Sequence, residues 1–221
     1  LDIVYAKPGK TDFVNASKFY THPEVAVRLR VMKDLVEKHN STLIFTNTRS
    51  IAEVLANRFK VWDSNFPISI HHGSLSKNSR IWAEKSLREG QMKGVISTSS
   101  LELGIDIGNI DLVIQYSSPR EVTRLVQRIG RSGHRMGHVP KGVIITIDAD
   151  DTLESMVIAR KALNDELETP LIPYKPCDVA NHQIAGLLMQ KRKWSYDEIV
   201  KIFKRAYPYR DFSLEDLKKI A

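Results

Sequence analysis

Gln127-Arg128-Ile129-Gly130-Arg131-Ser132-Gly133-His134-Arg135 packs three arginines, a histidine and two glycines into nine residues. Guanidinium groups keep their charge and match phosphate oxygens two at a time, so such a run on a glycine-containing turn suits polyanion chemistry. An ordinary basic surface loop has the same composition, so the meaning of this stretch depends on its company. Three other polar segments are candidates for that company: Thr46-Asn47-Thr48-Arg49, His71-His72-Gly73-Ser74, and Thr98-Ser99-Ser100 leading to Gly104-Ile105-Asp106. Hydroxyls and backbone N–H groups of this kind position nucleic-acid phosphates without reading bases. An arginine at a domain edge is able to complete a phosphoryl-transfer site assembled on another domain, where negative charge spreads in the transition state. A lone aspartate among cations suits ribose hydroxyls. The sequence offers no competing carboxylate pair and no Cys/His spacing that suits a metal.

The elements that must hold these segments alternate between two periods. Short apolar runs at 2–6, 42–46, 68–70, 94–97, 111–114 and 142–147 read as strands of the doubly buried kind. Between them, residues 22–39, 50–59, 76–88, 118–129 and 150–163 carry helical periodicity. Ser50-Ile51-Ala52-Glu53 and Ser118-Pro119-Arg120-Glu121 have the capping-box pattern at the start of two of these helices, the second with Pro at the first helical position. The fold class is therefore α/β, a parallel sheet with crossover helices on both faces. Loops at the carboxyl ends of the strands carry the ligand site in such folds. Three of the polar segments follow strands directly. The arginine segment follows a helix and is expected on the same edge, so that all four converge.

Pro8-Gly9-Lys10-Thr11 has the end of a P-loop, but the required earlier glycine is Val4, so a turn or flexible loop is expected there. Residues 166–177 hold Pro170, Pro173 and Pro176 and read as a linker after a first domain at 1–165. Three short helical patterns follow in 178–221, one opened by the capping box Ser195-Tyr196-Asp197-Glu198. The chain has 221 residues, a net charge of +7 and a pI of about 9.4, which favours a polyanionic partner. A single cysteine, Cys177, excludes an internal disulfide and suits a reducing, cytoplasmic setting. No apolar run approaches membrane-spanning length, and the opening at Leu1 reads as a piece of something larger.

In this order and spacing the segments resemble the second RecA-like domain of a superfamily 2 helicase. Thr42 to Arg49 looks like motif IV, His71 to Leu75 like motif IVa, Thr98 to Asp106 like motif V and Gln127 to Arg135 like motif VI. The wording Ser-Leu-Glu-Leu-Gly-Ile-Asp at 100–106 and Gly-Arg-Ser-Gly-His-Arg at 130–135 is similar to the Lhr (large helicase-related) family. Lys193-Trp194-Ser195 and Ala206 to Asp211 look like the start of that family's winged helix. The resemblance implies a 3′-to-5′ DNA helicase or translocase that hydrolyses ATP with Mg²⁺, the metal held mainly by a first RecA-like domain. It assigns catalysis to Arg131 as the main finger, with Arg135 as helper and Gln127 near the γ-phosphate. Gly104, Asp106, Arg128 and His134 become nucleotide contacts. Thr46, Asn47, Arg49, His72, Gly73, Thr98 and Ser99 become contacts to single-stranded nucleic acid, DNA favoured. The family's final arginine would fall at His134, which leaves open whether Arg135 shifts in, His134 substitutes or Arg131 acts alone. An RNA helicase of the same superfamily and a non-catalytic nucleic-acid-binding module are the alternatives. His71 and His72 also fit packing at a strand end, and Trp194 fits core at a helix junction better than base stacking.

Overall fold

The computed structural model describes residues 1–102, 108–133 and 139–220. They divide into two compact units, Leu1–Glu168 and Thr169–Ala221. The first unit holds six parallel strands: β1 (Asp2–Val4), β2 (Thr42–Phe45), β3 (Ile68–His71), β4 (Gly94–Ser97), β5 (Leu112–Tyr116) and β6 (Gly142–Ile145), in the order β1-β6-β5-β2-β4-β3. Its helices are α1 (Lys10–Lys18), α2 (Pro23–Lys38), α3 (Arg49–Trp62), α4 (Lys77–Arg88), α5 (Val122–Ile129) and α6 (Ala149–Leu163).

Alternation along the strands sorts the core into two layers. Ile44, Ile96, Ile114 and Ile145 face α2 and α3, packing with Leu29, Met32, Leu55 and Phe59. Their neighbours Leu43, Phe45, Val95 and Val113 form the opposite layer with Leu87 of α4, while Ile144 joins Val122, Leu125 and Ile158 from α5 and α6. A strand buried on both faces has no room for polar residues except where a partner waits. Gln115 in β5 is therefore informative.

Two local expectations give way. Gly9-Lys10-Thr11 does not form a loop: Gly9 is the N-cap of α1, its N–H donating to Asp12 Oδ2 at 2.8 Å. Asp12 is buried and also accepts from Arg30 Nε at 2.8 Å, so a tertiary ion pair anchors a helix whose sequence carries little periodicity. The Ser50–Glu53 capping box does not form either. Thr48 is the N-cap of α3, its Oγ1 accepting from the Ile51 N–H, and Glu53 is drawn away to His72.

The second unit holds α7 (Cys177–Gln190), α8 (Tyr196–Phe203) and α9 (Leu214–Ile220) around Ile184, Ile199, Phe203, Tyr209, Phe212 and Leu217. The Ser195–Glu198 capping box forms reciprocally at the start of α8. Trp194 is core at a helix junction, its Nε1–H donating to the Leu187 carbonyl at 2.8 Å. No helix among the described residues is long and apolar enough to cross a membrane.

Candidate functional site

Helix α5 carries the opening half of the arginine segment. Its last turn packs against the start of β6, where a Cβ on Gly142 would come within 2.8 Å of Ile129, so only glycine admits this approach. Beyond Gly130 the chain turns through Arg131 to Ser132. Ser132 makes a parallel bridge with Ile110, just before β5, and its Oγ accepts from the Lys141 N–H at 2.9 Å, just before β6. These are the amino ends of the strands. Among the described residues the expected convergence on the carboxyl edge is not complete: β5 runs up, α5 runs back down, and the arginine segment reaches the amino edge at Ser132, away from Thr46–Arg49 and His71–Ser74.

One side chain spans that separation. Arg128 is among the largest fully buried residues of the molecule, and it lies over the Phe45 ring, 5.2 Å from its centroid. Its Nη1 donates to Gln115 Oε1 at 2.7 Å and to Asn47 Oδ1 at 3.2 Å, and its Nη2 donates to Glu102 Oε2 at 3.2 Å. Gln115 passes the network on, its Nε2 donating to the Ser117 carbonyl, and Asn47 Nδ2 donates to the Ser118 carbonyl at 2.7 Å. The loops after β2, β4 and β5 are thereby tied to α5 through a single guanidinium. Burial pushes the Arg128 guanidinium down from its usual value, and the neighbouring Glu102 carboxylate opposes that. The group remains charged. Arg128, expected as a nucleotide contact, is a buried crosslink within the domain.

The carboxyl-edge residues are sorted by the same physics. Thr46 is buried, its N–H donating to the Ser97 carbonyl and its Oγ1 to the Thr48 carbonyl. His72 is buried with Nε2 2.7 Å from Glu53 Oε1 and Nδ1 accepting the Ser74 N–H, which makes the Nε2–H the donor to Glu53. His71 is likewise packed, between Ser100 and Glu84. Thr98 is buried, and Asn47 has both ends of its amide engaged. Of the residues expected to touch a strand, Thr46, Asn47 and His72 have their side chains engaged within the domain, and Thr98 is buried. Arg49, Gly73 and Ser99 are exposed, with Arg49 Nη1 donating to Ser74 Oγ at 2.7 Å across the adjacent loops. Gln127 in the last turn of α5 and Arg131 just beyond its end are half-buried, with Arg128 turned inward. Gly104, Asp106, His134 and Arg135 lie outside the described residues.

Gln115 and Glu102 were absent from the expected site. A glutamine in the otherwise apolar run Leu112–Tyr116 is a legible signal of a buried polar partner. Glu102 carried no such signal. No cluster of three or more His, Cys, Asp or Glu able to hold a metal occurs among the described residues.

Residues 27–137 match the helicase conserved C-terminal domain. The chain belongs to that family. The helicase domain is 44% identical over 194 residues to the ATP-dependent helicase Lhr-Core protein 2 of Thermococcus barophilus, an alignment covering 86% of this chain and 22% of the relative. In structure it is similar to the helicase Lhr of Mycobacterium smegmatis bound to ssDNA and AMP-PNP, with a TM-score of 0.79 and 30% identity, covering 97% of this chain and 28% of that one. It is also similar to Saccharomyces cerevisiae Dbp5 bound to RNA and ADP BeF3, with a TM-score of 0.55 and 26% identity over 74% of this chain and 42% of that one. The helicase domain spans about a quarter or less of the length of the first curated relatives it matches.

Proposed function

We propose that this chain is the second motor domain of an ATP-dependent 3′-to-5′ DNA helicase or translocase, acting in the cytoplasm as one half of a two-domain ATPase. The observation that carries the reading is the fixed end of α5. Arg128 is locked inward and holds the last turn of the helix, and Arg131 follows two residues beyond that turn. A finger needs a rigid backbone behind its arginine. The Arg128 network supplies that support.

ATP would sit between this domain and a first RecA-like domain carrying the P-loop lysine and the carboxylates for Mg²⁺. The described residues supply cations to that arrangement, Arg131 among them. When bound, Mg²⁺ neutralises charge developing on the phosphate oxygens. Arg131 then donates to γ-phosphate oxygens as charge spreads over them, a role that needs no proton transfer and no pKa tuning. Gln127 orients beside it. Arg135, His134, Gly104 and Asp106 are nucleotide-contact candidates by family resemblance, and they lie outside the described residues. Arg49, Gly73 and Ser99 offer backbone contacts to a single strand at the carboxyl edge, on the frame that Thr46, Asn47 and His72 build. Residues 178–221 begin a winged-helix module. DNA is favoured over RNA by the similarity to an Lhr structure holding ssDNA. The RNA reading is supported by the weaker similarity to Dbp5.

The test is paired. The purified 221 residues are expected to hydrolyse no ATP and to bind nucleotide feebly, whereas the full-length enzyme turns over ATP when single-stranded DNA is added. Turnover by the isolated chain would remove the two-domain reading. Stimulation by RNA but not DNA would replace the substrate.

A further inference from the structure

Helix α5 begins without a cap of its own. Its N-cap residue, Glu121, makes no side-chain bond to the first turn, and that turn contains no acidic residue. The expected Ser118–Glu121 capping box is not formed: the helix starts at Val122, and Ser118 Oγ accepts from the Arg120 N–H instead. The intervening loop runs through positive φ at Ser117 and Arg120, and Asp151 holds it by accepting from the Ser117 hydroxyl and the Ser118 N–H. The orphan donors of the first turn are satisfied from 46 residues downstream. Glu168 accepts from the Val122 N–H, from the Thr123 N–H at 2.9 Å and from Thr123 Oγ1 at 2.8 Å. Those three donors pull the Glu168 carboxyl down to about 2.

The length of the helix makes this contact count. In eight residues, the first four N–H groups and the last four carbonyls are all end groups, so α5 has little internal bonding to hold its start. Gly142 and the Arg128 network fix its last turn and its rotation. Val122 and Leu125 anchor the first turn to Ile144 and Ile158, the cap satisfies its N–H groups, and the helix ends two residues before Arg131.

We propose that Glu168 is a positioning residue for Arg131: the last residue of the first unit reaches back, caps α5 and fixes the helix that delivers the arginine. This inference rests on the finger reading of Arg131.

The experiment is steady-state ATP hydrolysis by the full-length enzyme. Glu168→Ala is expected to lower kcat roughly fivefold, the order of a lost helix cap, with the KM for ATP and the affinity for single-stranded DNA unchanged. Glu168→Gln keeps one acceptor oxygen and turns an NH2 toward the other donor, so it should recover part of that rate, which a loss of charge alone would not allow. In the 221-residue chain, amide exchange at Val122 and Thr123 should quicken in Glu168→Ala ahead of the rest of α5. A full rate in Glu168→Ala, beside an Arg131→Ala enzyme that is dead, overturns the positioning role and leaves the finger standing. A fall in kcat that Gln does not rescue, matched by a general fall in Tm, overturns it as well. An Arg131→Ala enzyme that keeps its rate removes the finger and this proposal together.

Discussion

The loops at the carboxyl edge and the segment leaving α5 contain the same kinds of residue and use them in opposite directions. After β2, β3 and β4, hydroxyls, an amide and two imidazoles turn inward and are paired before any ligand arrives. Along α5, Arg128 makes the same inward turn, yet Gln127 and Arg131 stay half-buried at its side. Buried polar groups must be satisfied or they destabilise the fold, so a loop that crosses a sheet edge spends its side chains on itself. Arg128 meets that demand at the end of α5, and the proposed finger role of Arg131 depends on the support it gives.

The largest effect that tests this contrast is on Arg131. Arg131→Ala in the full-length enzyme should lower ATP hydrolysis by about 10³-fold or more, the worth of an arginine finger, with DNA affinity and Tm close to wild type. An undiminished rate would return Arg131 to the structural class. Arg128→Ala should do the reverse. It leaves the Glu102 carboxylate buried without its partner, and chemical denaturation of the first unit should show a loss of about 3–5 kcal/mol. A stable, inactive Arg128→Ala enzyme would mean that Arg128 is a ligand contact after all.

An ion pair away from the site, between buried Asp12 and partly exposed Arg30, sets the scale. Arg30 holds the Asp12 carboxyl below the usual carboxylate range. A carboxylate with a lowered folded pKa stabilises fully above its unfolded pKa, and loses that contribution as pH falls through the folded value. Asp12→Asn should therefore cost about 1.5 kcal/mol near neutral pH, the size of a hydrogen bond to a charged group, and the difference from wild type should shrink on acidification. A constant difference at every pH would show that helix capping by Gly9 and not charge anchors α1. The smallest effect belongs to the exposed rim. Arg49→Ala should weaken single-strand binding by about threefold and reduce the salt slope by about one, while His72→Ala should lower Tm and leave the salt slope alone. Equal salt slopes in the two variants would erase the distinction between rim and frame.

Much of this architecture was legible beforehand because it depends on local periodicity. Six apolar runs and the helices between them require a parallel sheet, and the elements fall within a few residues of where the periods place them. Helix α1 was not legible, since its anchor is an ion pair to Arg30 in another helix. The two capping boxes in the first unit were legible and did not form, because Glu53 has a better partner in His72 and a downstream glutamate reaches Val122 and Thr123. Ser195–Glu198, with no such competitor, formed as written.

By itself, then, the amino-acid sequence determined the fold class, the order of the polar segments and the family, because hydrophobic period and motif spacing are properties of neighbouring residues. Tertiary structure decided which polar residues are frame and which are presented, and on which edge of the sheet. Those depend on burial, and burial is set by residues far apart in the chain: Arg128 against Glu102, Gln115 and Asn47, and Glu168 against the start of α5. Arg128 and Arg131 are three positions apart. Only the packing around them buries the first and leaves the second half-buried.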